Sequence, residues 1–411
     1  MNYFIKNIHI NKLFHLENID IPIANEKYPH LIITGKNGSG KTVLLNAVAE
    51  FLTITIKDIR GLLFEDKYVE ELMNTITQRD VYELDNQRDY LIKEKNRILE
   101  KVNVGFIGDT YKKNIVDKYK NDDFVIIMYT AYRKPEMVEP QNPTKPQYNY
   151  NKKWNVKDTT TNQFLNFLSD LKIQEALARN ERQIDDADRI NAWFVDFEKL
   201  LQQIFQDDNL KLEFNYKDYS FKICTEGKKF KFTELSDGFA AALDIVADLI
   251  LKMQDKDSLT RAYEKEGIVL IDEIETHLHL GLQKIIMPLL TQVFPNIQFI
   301  VTTHSPFVLS SMPNAVAYDL EHREVLDDLT EYSYESLAEG YFGVKTQSSY
   351  AEMQLNTLKE LLGKEVWTEA DKVEIKQLKS DFEKIPETIS PLIVGEFRQI
   401  VIQNAEKLKN L

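Results

Sequence analysis

Gly35-Lys36-Asn37-Gly38-Ser39-Gly40-Lys41-Thr42 decides how this chain is read. The apolar run Leu31-Ile32-Ile33-Thr34 before it reads as a buried strand, and Val43 to Val48 after it as a helix. A strand, a glycine loop and a helix in that order make a phosphate-binding loop, and that context separates it from a chance glycine-rich turn. Asn37, Gly38, Ser39 and Gly40 let backbone N–H groups curl around phosphate oxygens without Cβ clashes. The helix N-terminus adds its partial positive charge. Lys41 is placed to reach the β- and γ-phosphates, and the Thr42 hydroxyl to sit on Mg²⁺.

A second element lies far downstream. Ile268-Val269-Leu270-Ile271-Asp272-Glu273 is four apolar residues ending in two acids, the pattern of a buried parallel strand. Ligands of open α/β sheets bind at the carboxyl ends of such strands. Asp272 is therefore expected to hold Mg²⁺, and Glu273 to be the general base that orients the attacking water. Two further pieces narrow the class. Leu235-Ser236-Asp237-Gly238-Phe239 precedes an apolar helical run from Ala240 to Met253. Ser236 is a good N-cap there, and the helix start offers a second phosphate-binding terminus. Phe299-Ile300-Val301-Thr302-Thr303-His304-Ser305-Pro306 reads as a strand ending in a histidine, and His304 can hydrogen-bond the γ-phosphate or the lytic water. Alone, Ser236 is an ordinary cap and His304 an ordinary strand-end residue; the order of all four motifs is what carries the reading.

In that order the chain resembles the ATP-binding-cassette ATPases, and among them the SMC- and RecF-like branch of DNA maintenance and phage defence. Ile271 to His279 and Phe294 to Phe299 are similar to the ATPase subunits of Septu-type and retron-associated defence systems. The resemblance covers roughly residues 1–60 and 120–330. It implies an α/β fold: an ABC-type P-loop head built on a mixed sheet with flanking helices. It implies ATP and Mg²⁺, and a homodimer or higher oligomer in which Ser236 and Gly238 of one copy touch the γ-phosphate held by another. Glu275 to His279 would then lie near the dimer seam; the Glu-x-His-x-His cluster also suggests a metal site, which the lack of further ligands at zinc spacing disfavours. Family members usually carry a Gln after a middle strand. Here Phe124 to Tyr129 runs into Thr130-Ala131-Tyr132-Arg133, so Arg133 is either a phosphate-facing or coupling residue or an ordinary surface arginine.

Composition sets the bounds. The chain has 411 residues, 43% hydrophobic and 28% charged, which is ordinary globular material. The single cysteine, Cys224, excludes an intramolecular disulfide and fits a reducing cytoplasm. The first residues lack a signal-peptide design, and no apolar run approaches membrane-spanning length, so a cytoplasmic protein with no membrane partner is expected. The net charge of −14 disfavours a uniformly basic nucleic-acid binder, although Lys112, Lys113, Lys118, Lys120, Lys228, Lys229 and Lys231 are candidate basic spots and DNA remains an open partner.

Organisation follows from the patterns. Residues 1–60 and 120–330 form the head, with strands near 3–10, 16–22 and 30–34. Residues 61–119 form a helical arm, with Leu84, Leu91 and Ile98 at heptad spacing. Residues 134–163 read as a loop, with Tyr148, Tyr150 and Trp154 among Lys145, Lys152 and Lys153. Residues 161–206 look helical, and short strands follow at about 210–216, 219–225 and 229–232. Residues 331–411 are a C-terminal helical region with two apolar stripes, one of Leu355, Leu358, Leu361 and Leu362 and one of Ile393, Phe397, Ile400, Val401 and Leu408. No acid cluster with a nuclease pattern follows the head. The Asp186-Ala187-Asp188 run reads as solvated. The leading expectation is therefore an ATP-gated dimeric ATPase that regulates a separate effector, a nuclease, in anti-phage defence. The alternative is an ATP-dependent DNA-binding clamp of repair or chromosome maintenance, and a third is the ATPase subunit of an importer.

Overall fold

A computed structural model describes residues 5–23, 30–57, 93, 96–107, 111–133, 137–140, 156–254, 265–326, 329–330, 332–340, 349–386 and 390–409. The chain divides into two compact units, Met1–Tyr332 and Ser333–Leu411.

The first unit is organised by a six-stranded sheet. Its central strands are β3 (His30–Thr34), β5 (Phe124–Tyr129), β9 (Glu266–Ile271) and β10 (Ile297–Thr302). β3, β5 and β10 are buried along their whole length and β9 over five of its six residues. Continuous apolar runs are what a sheet covered on both faces requires. With β11 (Ala315–Asp319) and β12 (Glu324–Leu326) the order is β12-β11-β3-β10-β9-β5, and only β12 runs antiparallel to its neighbour. The parallel strands therefore all end on one edge. On that edge begin α1 (Lys41–Lys57), α6 (Leu280–Val293) after β9, and the short α7 (Pro306–Leu309) after β10.

A second, antiparallel sheet has the order β2-β1-β4, from β1 (Ile5–Leu13), β2 (Leu16–Pro22) and β4 (Val102–Phe106). β4 lies inside the stretch read as an arm. Its period-two pattern buries Val102, Val104 and Phe106 and pairs Val104 with Ile8, so these residues are sheet and not helix. Ile98, read as a heptad position, is buried in the same core, while Leu84 and Leu91 lie outside the described residues. α2 (Tyr111–Lys120) follows.

Residues 161–206 form two helices rather than one, α3 (Phe164–Asn180) and α4 (Ile184–Phe205). Arg182, at a φ of 62°, breaks them apart. Phe164, Phe167, Trp193 and Phe197 pack ring against ring between them. A three-stranded meander of β6 (Lys211–Asn215), β7 (Ser220–Thr225) and β8 (Lys228–Lys231) leads into α5 (Asp237–Lys252). Asp186 and Asp188 pair with Arg189 and Arg179 at the surface.

The second unit holds α8 (Tyr334–Gly340), α9 (Ser349–Gly363), α10 (Glu369–Glu383), α11 (Pro391–Gln403) and α12 (Ala405–Leu408). Its two apolar stripes join one core with Ile375, Leu378 and Phe382 of α10. Among the described residues no helix is long and apolar enough to cross a membrane.

Candidate functional site

The carboxyl edge of the parallel sheet is stitched together by the residues that leave it. Asp272 follows β9 directly, and its N–H donates to the Tyr129 carbonyl at the end of β5 (2.8 Å). Thr302, the last residue of β10, donates its hydroxyl to Asp272 Oδ1 (2.7 Å) and accepts the Glu273 N–H (2.8 Å). The Thr303 N–H donates to the Ile33 carbonyl of β3 (3.0 Å). Four neighbouring strands thus lock one another's ends, which holds the acids against the loop that follows β3.

In that loop Gly38 and Gly40 have φ values of 85° and 101°, a region that favours glycine. A Cβ on Gly40 would also stand 2.8 Å from Leu16 Cδ1, the movable end of a side chain, so the backbone conformation is what calls for glycine there. Asn37 and Gly38 are exposed at the tip, and Ser39 is buried. The Lys41 ammonium donates to the Gly35 and Lys36 carbonyls (2.7 and 3.1 Å) at the rim. Burial pulls the Lys41 pKa down, while Glu273, Glu275, Asp272 and Asp319 push it back up. The Thr42 hydroxyl donates to Asp272 Oδ1 (3.1 Å), so the residue after the lysine and the acid of the distant strand meet as expected.

Glu273 sits at a φ of 44°, a strained value for a residue other than glycine, and its carboxylate accepts from the Thr276 hydroxyl (3.3 Å). His304 is half-buried beside it, and its backbone N–H donates to Glu275 (2.5 Å). Burial lowers the His304 pKa, helped by the Lys41 charge and opposed by Glu273 and Asp272, which favours the neutral imidazole. Glu275 is raised by burial, and the hydrogen bonds from the His304 N–H and the Thr303 hydroxyl (2.8 Å) work against that rise.

Arg133 is not a surface arginine. It is 6% exposed, beside a Tyr132 that is 87% exposed. One terminal nitrogen donates to the Thr130 and Asp272 carbonyls (3.2 and 3.0 Å), the other to those of Glu273 and Ile274 (3.1 and 3.3 Å). The four terminal N–H donors are taken up by main chain, which leaves the buried, unpartnered Nε as the remaining donor for a phosphate.

Ser236 occupies the N-cap position of α5, but its side chain makes no capping hydrogen bond. The hydroxyl is exposed, so water can satisfy it, and the first turn is closed by the backbone alone (Ala240 N–H to Ser236 O, 3.0 Å). Gly238 lies against the loop after β9, where a Cβ would come to 3.0 Å from the His277 carbonyl. Within one chain the lattice joining Thr42, Asp272, Glu273 and Thr302 does not include Ser236 or Gly238, among the described residues. His279 caps α6, its Nδ1 accepting from the Leu282 N–H (3.3 Å).

Several contributors escaped the sequence reading. Thr302 carried no signal beyond ending a strand. The turn after β11 braces the glycine loop, with Glu321 bound to the Lys36 N–H and ammonium (3.2 and 2.9 Å). Behind the site Asp248 of α5 accepts from the Tyr129 hydroxyl (2.7 Å) and from both donors of Thr160, and Thr161 donates to Asp244 (2.7 Å). Only the fold brings these residues together.

The donors fit a magnesium nucleotide. Thr42 and Asp272 are hard oxygen ligands side by side. The Ser39 hydroxyl is buried with no partner, an orphan that a phosphate oxygen would satisfy.

A family model described as "AAA domain, putative AbiEii toxin, Type IV TA system" matches residues 31–310. The Septu protein PtuA of Bacillus mycoides (strain KBAB4) is 26% identical over 330 residues, 78% of this chain and 41% of the relative. The Retron Vc95 probable ATPase of Vibrio cholerae serotype O1 biovar El Tor is 22% identical over 345 residues, 68% of this chain and 66% of the relative. Both relatives are thus spanned over less than two thirds of their length. A crystal structure of an Smc head bound to the C-winged helix domain of ScpA aligns with 14% identity and a TM-score of 0.37, over 79% of this chain and 97% of that one. The resemblance to Septu-type and retron-associated ATPases is borne out by these relatives.

Proposed function

The chain belongs to this AAA family, and from that premise we propose that it binds and hydrolyses ATP as an SMC-like switch of anti-phage defence. In this reading two copies close head to head on the nucleotide, and the closed state regulates a separate effector, a nuclease. The carrying observation is the Thr42–Asp272 contact (3.1 Å), which unites the phosphate loop and the acid strand across the sheet edge. The names of the Septu and retron relatives support the defence role.

The residues divide the work. The N–H groups of residues 37–42 and the Lys41 ammonium bind and orient the triphosphate. Thr42 and Asp272 hold Mg²⁺, which when bound offsets charge that develops on the phosphoryl oxygens. Glu273 takes the proton of the attacking water, and neutral His304 offers a hydrogen bond to the same region. The start of α5, with exposed Ser236 and half-buried Gly238, is the segment that covers the nucleotide of a second copy.

The clamp alternative has less support. Lys118, Lys120, Lys229 and Lys231 each face a carboxylate, of Glu266, Asp117, Glu213 and Glu139. Tyr148, Tyr150 and Trp154 lie outside the described residues. The test uses two variants. Lys41→Ala weakens ATP binding about a hundredfold by equilibrium titration, through lost charge-assisted hydrogen bonds. Ser236→Arg leaves that binding intact and abolishes turnover; an unchanged ATPase rate in Ser236→Arg removes the second copy from the mechanism.

A further inference from the structure

The four terminal N–H donors of Arg133 meet four main-chain carbonyls, and three of these belong to the consecutive residues Asp272, Glu273 and Ile274. The middle one is the residue at a φ of 44°. A left-handed conformation at a non-glycine residue persists only where its surroundings impose it. Thr302 grips the same turn from the other side, through the Glu273 N–H and the Ile274 N–H, which donates to the Thr302 carbonyl (3.1 Å). The turn that carries Glu273 is therefore clasped by Arg133, from the segment after β5, on one side and by Thr302 of β10 on the other.

We propose that Arg133 is a positioning residue for the hydrolytic carboxylate: its guanidinium holds the Asp272–Ile274 main chain in the turn that presents Glu273. The claim rests on the hydrolase reading above. Arginine suits the task because its planar fork can serve several carbonyls at fixed angles, while a lysine ammonium offers three donors around one point. The charge is held in a buried place by those carbonyl dipoles and by the nearby carboxylates of Asp244, Glu275 and Asp272, which oppose the lowering of its pKa by burial. Asp244 lies on α5, so the helix that follows Ser236 contributes to the field that keeps Arg133 in place.

The experiment compares Arg133→Lys, which keeps the charge and loses the fork, with the unmodified chain, each alone and combined with Glu273→Gln. Three quantities are read: single-turnover ATP hydrolysis with Mg²⁺, equilibrium binding of ATP, and hydrogen exchange of residues 272–276 without nucleotide. Arg133→Lys is expected to slow hydrolysis about tenfold or more, as a misplaced catalytic group does, with nucleotide affinity within about twofold. Exchange at Ile274 and Thr276 accelerates, and the rate loss disappears once Glu273 is glutamine. Weaker ATP binding at an unchanged rate would overturn the proposal in favour of a phosphate contact. An equal rate loss in both backgrounds, or faster exchange across the whole head, would overturn it in favour of general stability. If the unmodified chain hydrolyses nothing, the hydrolase reading falls and this assignment with it. If it hydrolyses ATP and Arg133→Lys is fully active, only this assignment falls.

Discussion

At the carboxyl edge of the parallel sheet, buried polar residues are held by hydrogen bonds: Thr302 donates to Asp272, Thr303 to Glu275, and Lys41 to the Gly35 and Lys36 carbonyls. In the Ser333–Leu411 unit the buried positions among the described residues are apolar apart from Asp371, which closes the Thr368–Asp371 capping box at a helix end. The contrast separates two uses of a core. Burying polar groups costs stability unless each finds a partner, so a region that concentrates them does so for chemistry. A helical core built from leucine, isoleucine and phenylalanine specifies packing and little else.

Three substitutions sharpen that contrast. Glu273→Gln has the largest effect: turnover falls about a thousandfold, the range for loss of a general base, while ATP affinity is kept. A comparable fall in affinity would make Glu273 a binding group. Ile375→Ala acts in the other region. Ile375 is fully buried in the C-terminal core, and its truncation costs about 3 kcal/mol of that unit's stability in denaturant titrations. The affinity for ATP stays the same; if it falls equally, the two regions are not independent.

The third concerns His30 of β3, whose ring accepts the Phe299 N–H (3.2 Å). Burial lowers its pKa to about 4, from 6.5 when unfolded. The folded state keeps the ring neutral while the unfolded chain takes up a proton between those values. The unfolded state thus binds more protons there, and stability is complete above 6.5 and lost as pH falls toward 4. The His30 contribution is about 2 kcal/mol between about pH 7 and pH 5. His30→Asn removes that part of the pH dependence, and an identical slope in the variant refutes it.

The glycine loop and the acid strand were legible because each is a contiguous pattern whose chemistry is local. Thr42 and Asp272 could be paired in advance, since the parallel sheet leaves one edge for both. β4 was misread because five residues of alternation are outweighed by the charged, helix-forming stretch before them. The break between α3 and α4 has no glycine or proline to mark it; Arg182 adopts the left-handed turn instead. Ser236 lies at the expected boundary, yet it is exposed and makes no capping hydrogen bond, a choice the pattern cannot encode. Arg133 was ambiguous because three of its partners are carbonyls of a turn more than a hundred residues away, and main-chain acceptors leave no mark in a sequence.

The most direct trial of the shared-nucleotide account is sedimentation of purified Glu273→Gln with and without saturating ATP and Mg²⁺. The account expects a monomer without nucleotide and a stable dimer with it, reverting to monomer when Ser236→Arg is added. A monomer under all three conditions would contradict it.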